Sequence, residues 1–474
     1  MVVATGDFVS TSRDSFIRPL LASVPVFWLQ LLTGSIEGHS AVLLPQLEES
    51  EKFYISLEEE SWIASLGIMA TPLVAVLSGP MVERYGRKFI FYIFYILCTL
   101  GFSFIGLAQR VEHIYIGRIL GAGAHGLTLC SILYIYEICV AHQRNKLLPL
   151  LCPMCSAGIL YAYVIGGYLP WNVASLVLAG SGVVGLICIF FIPESPAWLV
   201  MQGDINAAIQ SLEWLKRDKE TIAQEVDELR KSSTSKDLPQ SISLQHFLHP
   251  TVWKPFLVLL IFSALQNGSG FYMLLYYTVN FFQNLGTGGE IDPLTITVGL
   301  ALMRLVSGSF GALFIARFSR KKLTATTAFG MFIVASAAVA YLVTFGEDPT
   351  NRPHQWFLVL CSLSYVLLCT LAIQPLPWLM TNELYPLQLR GLMSGITFFC
   401  LFTMVFVGIK AYPFFMFYIH ITGILCIFAG ACLLAVIFAV FLLPETYNKT
   451  PYEIEEYFMR RKKKSVHCDE TIYM

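Results

Sequence analysis

Charge is what this sequence has least of. Asp, Glu, Lys and Arg together make up 13% of its 474 residues, against 56% hydrophobic and 14% aromatic. A soluble domain carries charge on roughly a quarter of its residues to keep its surface wet. A water-soluble globular fold is therefore excluded, and a lipid-facing surface is implied. The formal net charge is −1, so there is no basic footprint for nucleic acid. A disulfide framework is missing as well. Of the twelve cysteines, Cys98, Cys130, Cys188, Cys361, Cys369, Cys400, Cys426 and Cys432 lie inside apolar stretches, which is poor placement for a secreted scaffold. Cys152 and Cys155 have C-x-x-C spacing, but no His or Cys pair accompanies them. Pro153 and the leucines around it put the pair at a helix start in the membrane, where packing explains it without a metal or cofactor. No glycine-rich nucleotide loop and no nucleophile–base set appears, so enzymatic chemistry is not expected.

What is present is a succession of apolar runs long enough to cross about 30 Å of hydrocarbon. Twelve stand out, near 21–44, 61–82, 88–108, 113–138, 147–168, 172–193, 253–283, 295–316, 323–345, 355–381, 391–415 and 419–443. Because many spans follow the first, it reads as a span and not as a cleaved signal peptide. The one long polar segment, 194–250, falls between the sixth and seventh. Its pattern (Ala207, Ala208, Leu212, Leu215, then Ile222, Val226, Leu229) is helical. The expected organisation is a polar N-terminus (1–20), a six-helix bundle (21–193), a helical linker (194–250), a second bundle (251–443) and a tail (444–474).

Basic clusters set the orientation. Arg84/Arg87/Lys88, Arg144/Lys146, the 216–236 segment, Arg317/Arg320/Lys321/Lys322, Arg390 and Arg460–Lys464 all fall on one side of an even-numbered set of spans, with both termini. Excess Lys and Arg marks the cytoplasmic side. The opposite side carries Lys52, Arg110 and Arg352 among acids such as Glu48, Glu49 and Glu58. The expectation is a multi-pass cell-membrane protein with cytoplasmic termini and the lipid bilayer as its surroundings. Leu20-Leu21 lacks an acid at the spacing of a sorting signal, so the plasma membrane is the default address.

The chain also repeats itself. Glu83-Arg84-Tyr85-Gly86-Arg87-Lys88 returns as Ala316-Arg317-Phe318-Ser319-Arg320-Lys321. Glu137 and Arg144 return as Glu383 and Arg390, and Pro193-Glu194-Ser195 as Pro444-Glu445-Thr446. Three ordered pairs offset by roughly 230–250 residues mark two homologous halves. In the second copy the acid has become Ala316 and the glycine Ser319, so that collar should be the weaker one.

These motifs carry a family resemblance that covers essentially the whole chain. Gly79 through Lys88 resembles the G-x3-[DE]-R-x-G-R-[RK] loop of major facilitators. Gly117-Arg118 with Tyr134, Glu137 and Arg144, and Pro193-Glu194-Ser195-Pro196-Ala197-Trp198-Leu199, resemble sugar-porter signatures. So does Gln374-Pro375-Leu376-Pro377-Trp378 followed by Glu383-Leu384-Tyr385-Pro386. The chain thus resembles the sugar-porter branch of the major facilitator superfamily, and Ser61-Trp62-Ile63 with Pro196-Ala197-Trp198 resembles the insect trehalose and sugar carriers within it. The resemblance implies an all-α membrane protein of twelve transmembrane helices in two six-helix bundles, with a cytoplasmic helical linker. It implies passage of a small-molecule substrate, a hexose or trehalose-like disaccharide, by alternating access and without covalent chemistry.

The resemblance also assigns residues. Arg84, Arg87, Glu137, Arg144, Glu194, Arg317, Arg320, Glu383, Arg390 and Glu445 form the gating collar, able to pair across the halves when one side is shut. Gln266, Asn267 and Tyr272 stand in the seventh-span substrate pattern, with Tyr276 and Tyr277 as gate aromatics. Trp378 is the tenth-span aromatic that stacks on a sugar ring, and Pro375 and Pro377 make its segment mobile. Other positions depart from the pattern: Tyr163 replaces a Gln, Leu401-Phe402 an Asn-Trp, and Arg304 an Asn. Glu37, in mid-first span, replaces an aromatic. Ser40 stands where proton-coupled relatives carry Asp, which favours uniport. A charge in a span is costly and functional by default, so Glu37 is expected to face Arg304 or Arg118 across the cavity. Proton coupling through Glu37, an anionic substrate, and a sensor that binds without transporting stay open. His39 and His125 read as packing or hydrogen-bonding residues, and Lys410 as a side chain reaching for the interface.

Overall fold

The computed structural model describes residues 16–50, 54–215, 219–234, 249–285, 293–346, 353–385, 389–447, 449 and 451–459. The Arg460–Lys464 run, Arg352 and Pro386 lie outside them. Among the described residues the secondary structure is helical, with no strand. Ten segments are long and apolar enough to cross a membrane. One of them, Leu392–Phe441, covers the expected eleventh and twelfth spans. It turns at His420, whose φ of 59° is non-helical. The expected seventh span, 253–283, has Lys254 and Pro255 near one end and Gln266-Asn267-Gly268 at its middle. It is built from three shorter helices: Pro250–Gly268, Phe271–Tyr276 and Thr278–Leu285.

The breaks have local causes. At the first seventh-span break Gly270 adopts φ 75°, ψ 8°, a left-handed conformation that other residues enter at a steric cost. The Phe428 ring covers it so closely that a Cβ would lie 2.0 Å from Cζ. The Tyr365 hydroxyl donates to Ser269 O at 2.6 Å, giving a partner to backbone at the break. In the tenth span the helix Trp356–Leu368 widens into a π-helical turn, Cys369–Ile373, before Leu376–Leu384. Pro375 and Pro377 have no N–H to donate, and the Gln374 N–H reaches back five residues to Cys369 O at 3.0 Å.

Each half has a close-packed interior. In the first half, Phe91 meets Tyr134 edge-on at 5.4 Å, and the Tyr95 hydroxyl donates to Pro25 O. The first span (Ile17–Glu48) crosses the fifth (Leu151–Tyr168) with backbones in contact. A Cβ on Gly34 would fall 1.8 Å from Cys155 O, and one on Gly158 would fall 1.7 Å from Leu31 O. Small residues permit such an approach, and Ser35 Oγ uses it to donate to Gly158 O at 3.0 Å.

The halves meet at the end away from the basic loops. Asn280 Nδ2 donates to Glu48 Oε1 at 3.1 Å, and Lys410 Nζ donates to Ser61 Oγ at 2.7 Å. The Lys410 ammonium also lies 3.7 Å from the centre of the Trp62 ring, where the ring's quadrupole attracts a cation. Lys410 is therefore not an interfacial anchor as its sequence suggests. The Trp62 face and the Ser61 hydroxyl hold it between the second and eleventh spans. Gly34→Ala should cost about 1–3 kcal/mol by overpacking, read as a lower unfolding temperature in detergent. Gly180→Ala, with nothing within 4 Å of the new methyl, should be neutral.

Candidate functional site: a buried charge cluster between the halves

The most costly groups to place between lipid-facing helices are ions, and one pair is built from both halves. Glu37 of the first span and Arg304 of the eighth approach to 3.9 Å (Nη2–Oε2). The other Glu37 oxygen lies 3.4 Å from His125 Nε2. Arg304 is 6% exposed, and its guanidinium carbon lies 4.7 Å from the centre of the Phe271 ring, which fixes its plane. Arg304 Nε and His125 Nδ1 are buried without a hydrogen-bond partner among the described groups. Each such group costs about 1–3 kcal/mol unless something satisfies it.

Of the two partners expected for Glu37, the structure supplies Arg304. Arg118 is held elsewhere: Nε donates to Ile63 O at 3.0 Å, and the Nη groups donate to Ile36 O, Ala64 O and Ser40 Oγ. The bare backbone of Gly67 makes room for it, since a Cβ there would lie 1.9 Å from Nη2. Ser40 thus accepts from Arg118 without adding a charge. His125, read from sequence as a packing or hydrogen-bonding residue, lies against Glu37. The available signal was its ionisable ring in mid-span.

On the other wall, Gln266 Nε2 donates to Ile373 O at 3.1 Å and Gln374 O at 2.9 Å. Both amide hydrogens go to the π-helical turn, so Gln266 can offer a ligand only its carbonyl oxygen. Asn267 Nδ2 donates to Ser263 O at 3.1 Å. The Trp378 indole stacks on Phe398, with centroids 5.3 Å apart. Phe402 lies 5.0 Å from Trp378 and meets His125 edge-on at 5.6 Å, so it touches both halves. Tyr163 makes a strap between spans. Its hydroxyl donates to Leu275 O at 2.9 Å and lies 3.1 Å from Thr278 Oγ1, tying the fifth span to the broken seventh. Tyr276 and Tyr277 are fully buried with unpartnered hydroxyls, and Tyr277 packs on Tyr412 at 4.7 Å. Cys152 and Cys155 are free thiols, and no metal-ligating cluster occurs among the described residues.

The collars reproduce the sequence repeat as geometry. In the first half, Arg87 is bidentate to Glu137 at 2.6 and 2.8 Å, and Ser195 Oγ donates to the same carboxylate at 2.6 Å. Glu194 accepts from the backbone N–H groups of Arg87, Lys88 and Ser195, capping the third span. In the second half, Arg320 donates to Glu383 at 3.1 Å, and Thr446 Oγ1 donates to the other Glu383 oxygen at 2.5 Å. Glu445 accepts from the Arg320 and Lys321 N–H groups and from Ser319 Oγ. Burial raises the pKa of the Glu194 carboxyl against those N–H bonds and the Arg87 charge. At Glu445 burial also pushes upward, but the Ser319 hydroxyl and the Tyr447, Lys321 and Arg320 N–H groups outweigh it, and the net shift is downward.

The described collar pairs lie within halves, not across them. Arg84 and Arg317 are exposed, and Arg144 donates to Tyr136 O and lies over that residue's own ring. The arginine of the first collar is bidentate and its pair is 7% and 5% exposed, against one bond and 12% and 24% in the second. Glu137→Gln should therefore cost more stability than Glu383→Gln. The expected loss is about 3–5 kcal/mol for a buried pair that loses one partner, against about 1 kcal/mol for the more exposed one. Thermal unfolding of the two variants in detergent measures the order.

The family described as "Sugar (and other) transporter" matches residues 27–458. A protein of Apis mellifera ligustica named facilitated trehalose transporter Tret1 is 27% identical over 95% of this chain and 90% of its own. The protein of the same name from Bombyx mori is 26% identical over 94% and 88%. Among solved structures, the inward-open xylose transporter XylE from E. coli superposes with a TM-score of 0.76 at 18% identity, covering 93% of this chain and 99% of that one. The D-xylose–proton symporter structure gives 0.70 at 20% identity, covering 92% and 100%. The fold is that of a major facilitator, and the chain belongs to the sugar (and other) transporter family.

Proposed function

We propose that this chain carries a sugar, a hexose or a trehalose-like disaccharide, across the plasma membrane by facilitative alternating access. The carrying observation is the buried ion pair that joins the halves: Glu37 lies against Arg304 and His125, and Arg304 Nε and His125 Nδ1 are buried without a partner among the described groups. A midplane cavity between two pseudo-repeats is where an alternating-access carrier holds its cargo. The aromatic surface of Trp378 and Phe402 suits the C–H face of a pyranose, and the surrounding donors and acceptors suit its hydroxyls. The relatives named for facilitated trehalose transport support the disaccharide, and Ser40 at the coupling position supports uniport.

In this reading Gln266, Asn267, Tyr272, Trp378, Tyr163, Phe402, Glu37 and Arg304 line the substrate path. Tyr276, Tyr277, Pro375 and Pro377 bend with the seventh and tenth spans. The excess of basic residues in the loops supports a cytoplasmic collar end with both termini, and in this reading the contacts at Lys410 and Asn280 form the outer gate. With the described collar pairs satisfied inside each half, Arg84, Arg144 and Arg317 are available to bridge the halves when the cytoplasmic side shuts; the Arg390 side chain lies outside the described groups.

Purified protein in proteoliposomes should show saturable uptake and counterflow of trehalose or glucose, unchanged when a protonophore is added. Binding without counterflow across trehalose, glucose and fructose would make it a sensor instead, and loss of uptake with the protonophore would make it proton-coupled. Lys410→Met should loosen the outer gate. A cysteine placed at Asn280 should then react several-fold faster with a membrane-impermeant maleimide added outside.

A further inference from the structure

We propose that Glu37 and Arg304 form a two-sided clamp on a substrate hydroxyl, whose mutual neutralisation excludes amino sugars and uronic acids. This rests on the sugar-carrier reading of the same cavity and goes beyond it by naming the chemistry selected. The argument begins with a distance. Nη2 of Arg304 and Oε2 of Glu37 are 3.9 Å apart, too far for a hydrogen bond but close enough for strong attraction. A hydroxyl oxygen seated beside the pair can accept from Nη2 at about 2.9 Å while donating to Oε2 at about 2.7 Å. It bridges the two without separating them. Only a group that both donates and accepts can do this, and a hydroxyl is that group.

Neighbouring groups support the same reading. Arg304 Nε and His125 Nδ1 are buried and unpartnered, so further hydroxyls would find a group at each. The Phe271 face holds the guanidinium, and His125 Nε2 holds the second Glu37 oxygen at 3.4 Å. Neither ion is left to swing toward a ligand of opposite charge. An ammonium at this site gains Glu37 but meets Arg304, and a carboxylate gains Arg304 but meets Glu37. Each is repelled by the partner of the ion it seeks. The two ions also come from different halves, so the clamp closes only when both halves reach the substrate.

Charge selectivity tests this. Uptake of whichever of trehalose or glucose the wild type carries is measured in proteoliposomes with glucose, glucosamine and glucuronate as competitors. The wild type should be inhibited by glucose far better than by either charged analogue. Glu37→Gln leaves Arg304 uncompensated and should improve glucuronate relative to glucosamine by about tenfold, whereas Arg304→Gln should shift the ratio the other way by a similar factor. The double variant Glu37→Gln/Arg304→Gln should return to rejecting both, with weaker sugar binding. Single variants that fail to reach the membrane while the double variant does would carry the same meaning, since an unpaired ion is then the fault. Unchanged competitor ranking in the single variants, or failure of the double with them, overturns the clamp. A wild type that carries neither sugar overturns the carrier reading itself.

Discussion

A polar group between lipid-facing helices has no water to turn to, and most of the irregular structure in this chain answers that constraint. At the seventh-span break and at the π-helical turn of the tenth span, a specific partner meets the irregular backbone. Tyr365 donates to Ser269 O at the seventh-span break, and the Gln266 amide takes the carbonyls of Ile373 and Gln374 at the π-helical turn. The same rule governs ions. Arg118, 2% exposed, is surrounded by three carbonyls and a hydroxyl. Among the buried polar atoms that lack a partner in the described residues, Arg304 Nε and His125 Nδ1 stand out, because both belong to the groups that meet at Glu37.

The two collars show what a duplicated motif conserves. Each is an arginine at a helix start, a carboxylate from the fourth or tenth span, and a glutamate that caps that helix after the sixth or twelfth. The first copy has Gly86 at φ 90°, where a Cβ would lie 2.7 Å from the Glu194 carboxylate. The second has Ser319, which cannot bring the chain in the same way and donates its own hydroxyl to Glu445 instead. The change keeps the cap and loosens the pair, so the halves share a plan but not a stiffness.

Much of this is legible in the residues. The apolar runs place the spans, and the repeat places the collars on matching helix ends. Those signals are periodic and local, and sequence carries them directly. Glu37 is conspicuous because an acid in mid-span has few reasons to be there, but its choice between Arg304 and Arg118 is not legible. That choice depends on Gly67 opening a niche for Arg118 in the second span, a contact between helices distant in sequence. Lys410 misleads for the same reason: its partner Trp62 lies 348 residues away and in the other half. Tyr163 looks like a substitute ligand because it stands where relatives carry one. Its longer reach lets it pass across the cavity wall to Leu275 and Thr278.

The turn at His420 joins two spans with a single non-helical residue. A connection that short behaves as an elbow with little slack, unlike a polar loop that would absorb motion. The arm leading into it carries Lys410, and the arm leaving it runs to Glu445, the cap of the ninth span. Displacement at one end of the second half therefore has a stiff mechanical route to the other, along about 30 Å of continuous helix after the turn. The second half is in this respect a lever, with its fulcrum at the far surface and its load at the collar.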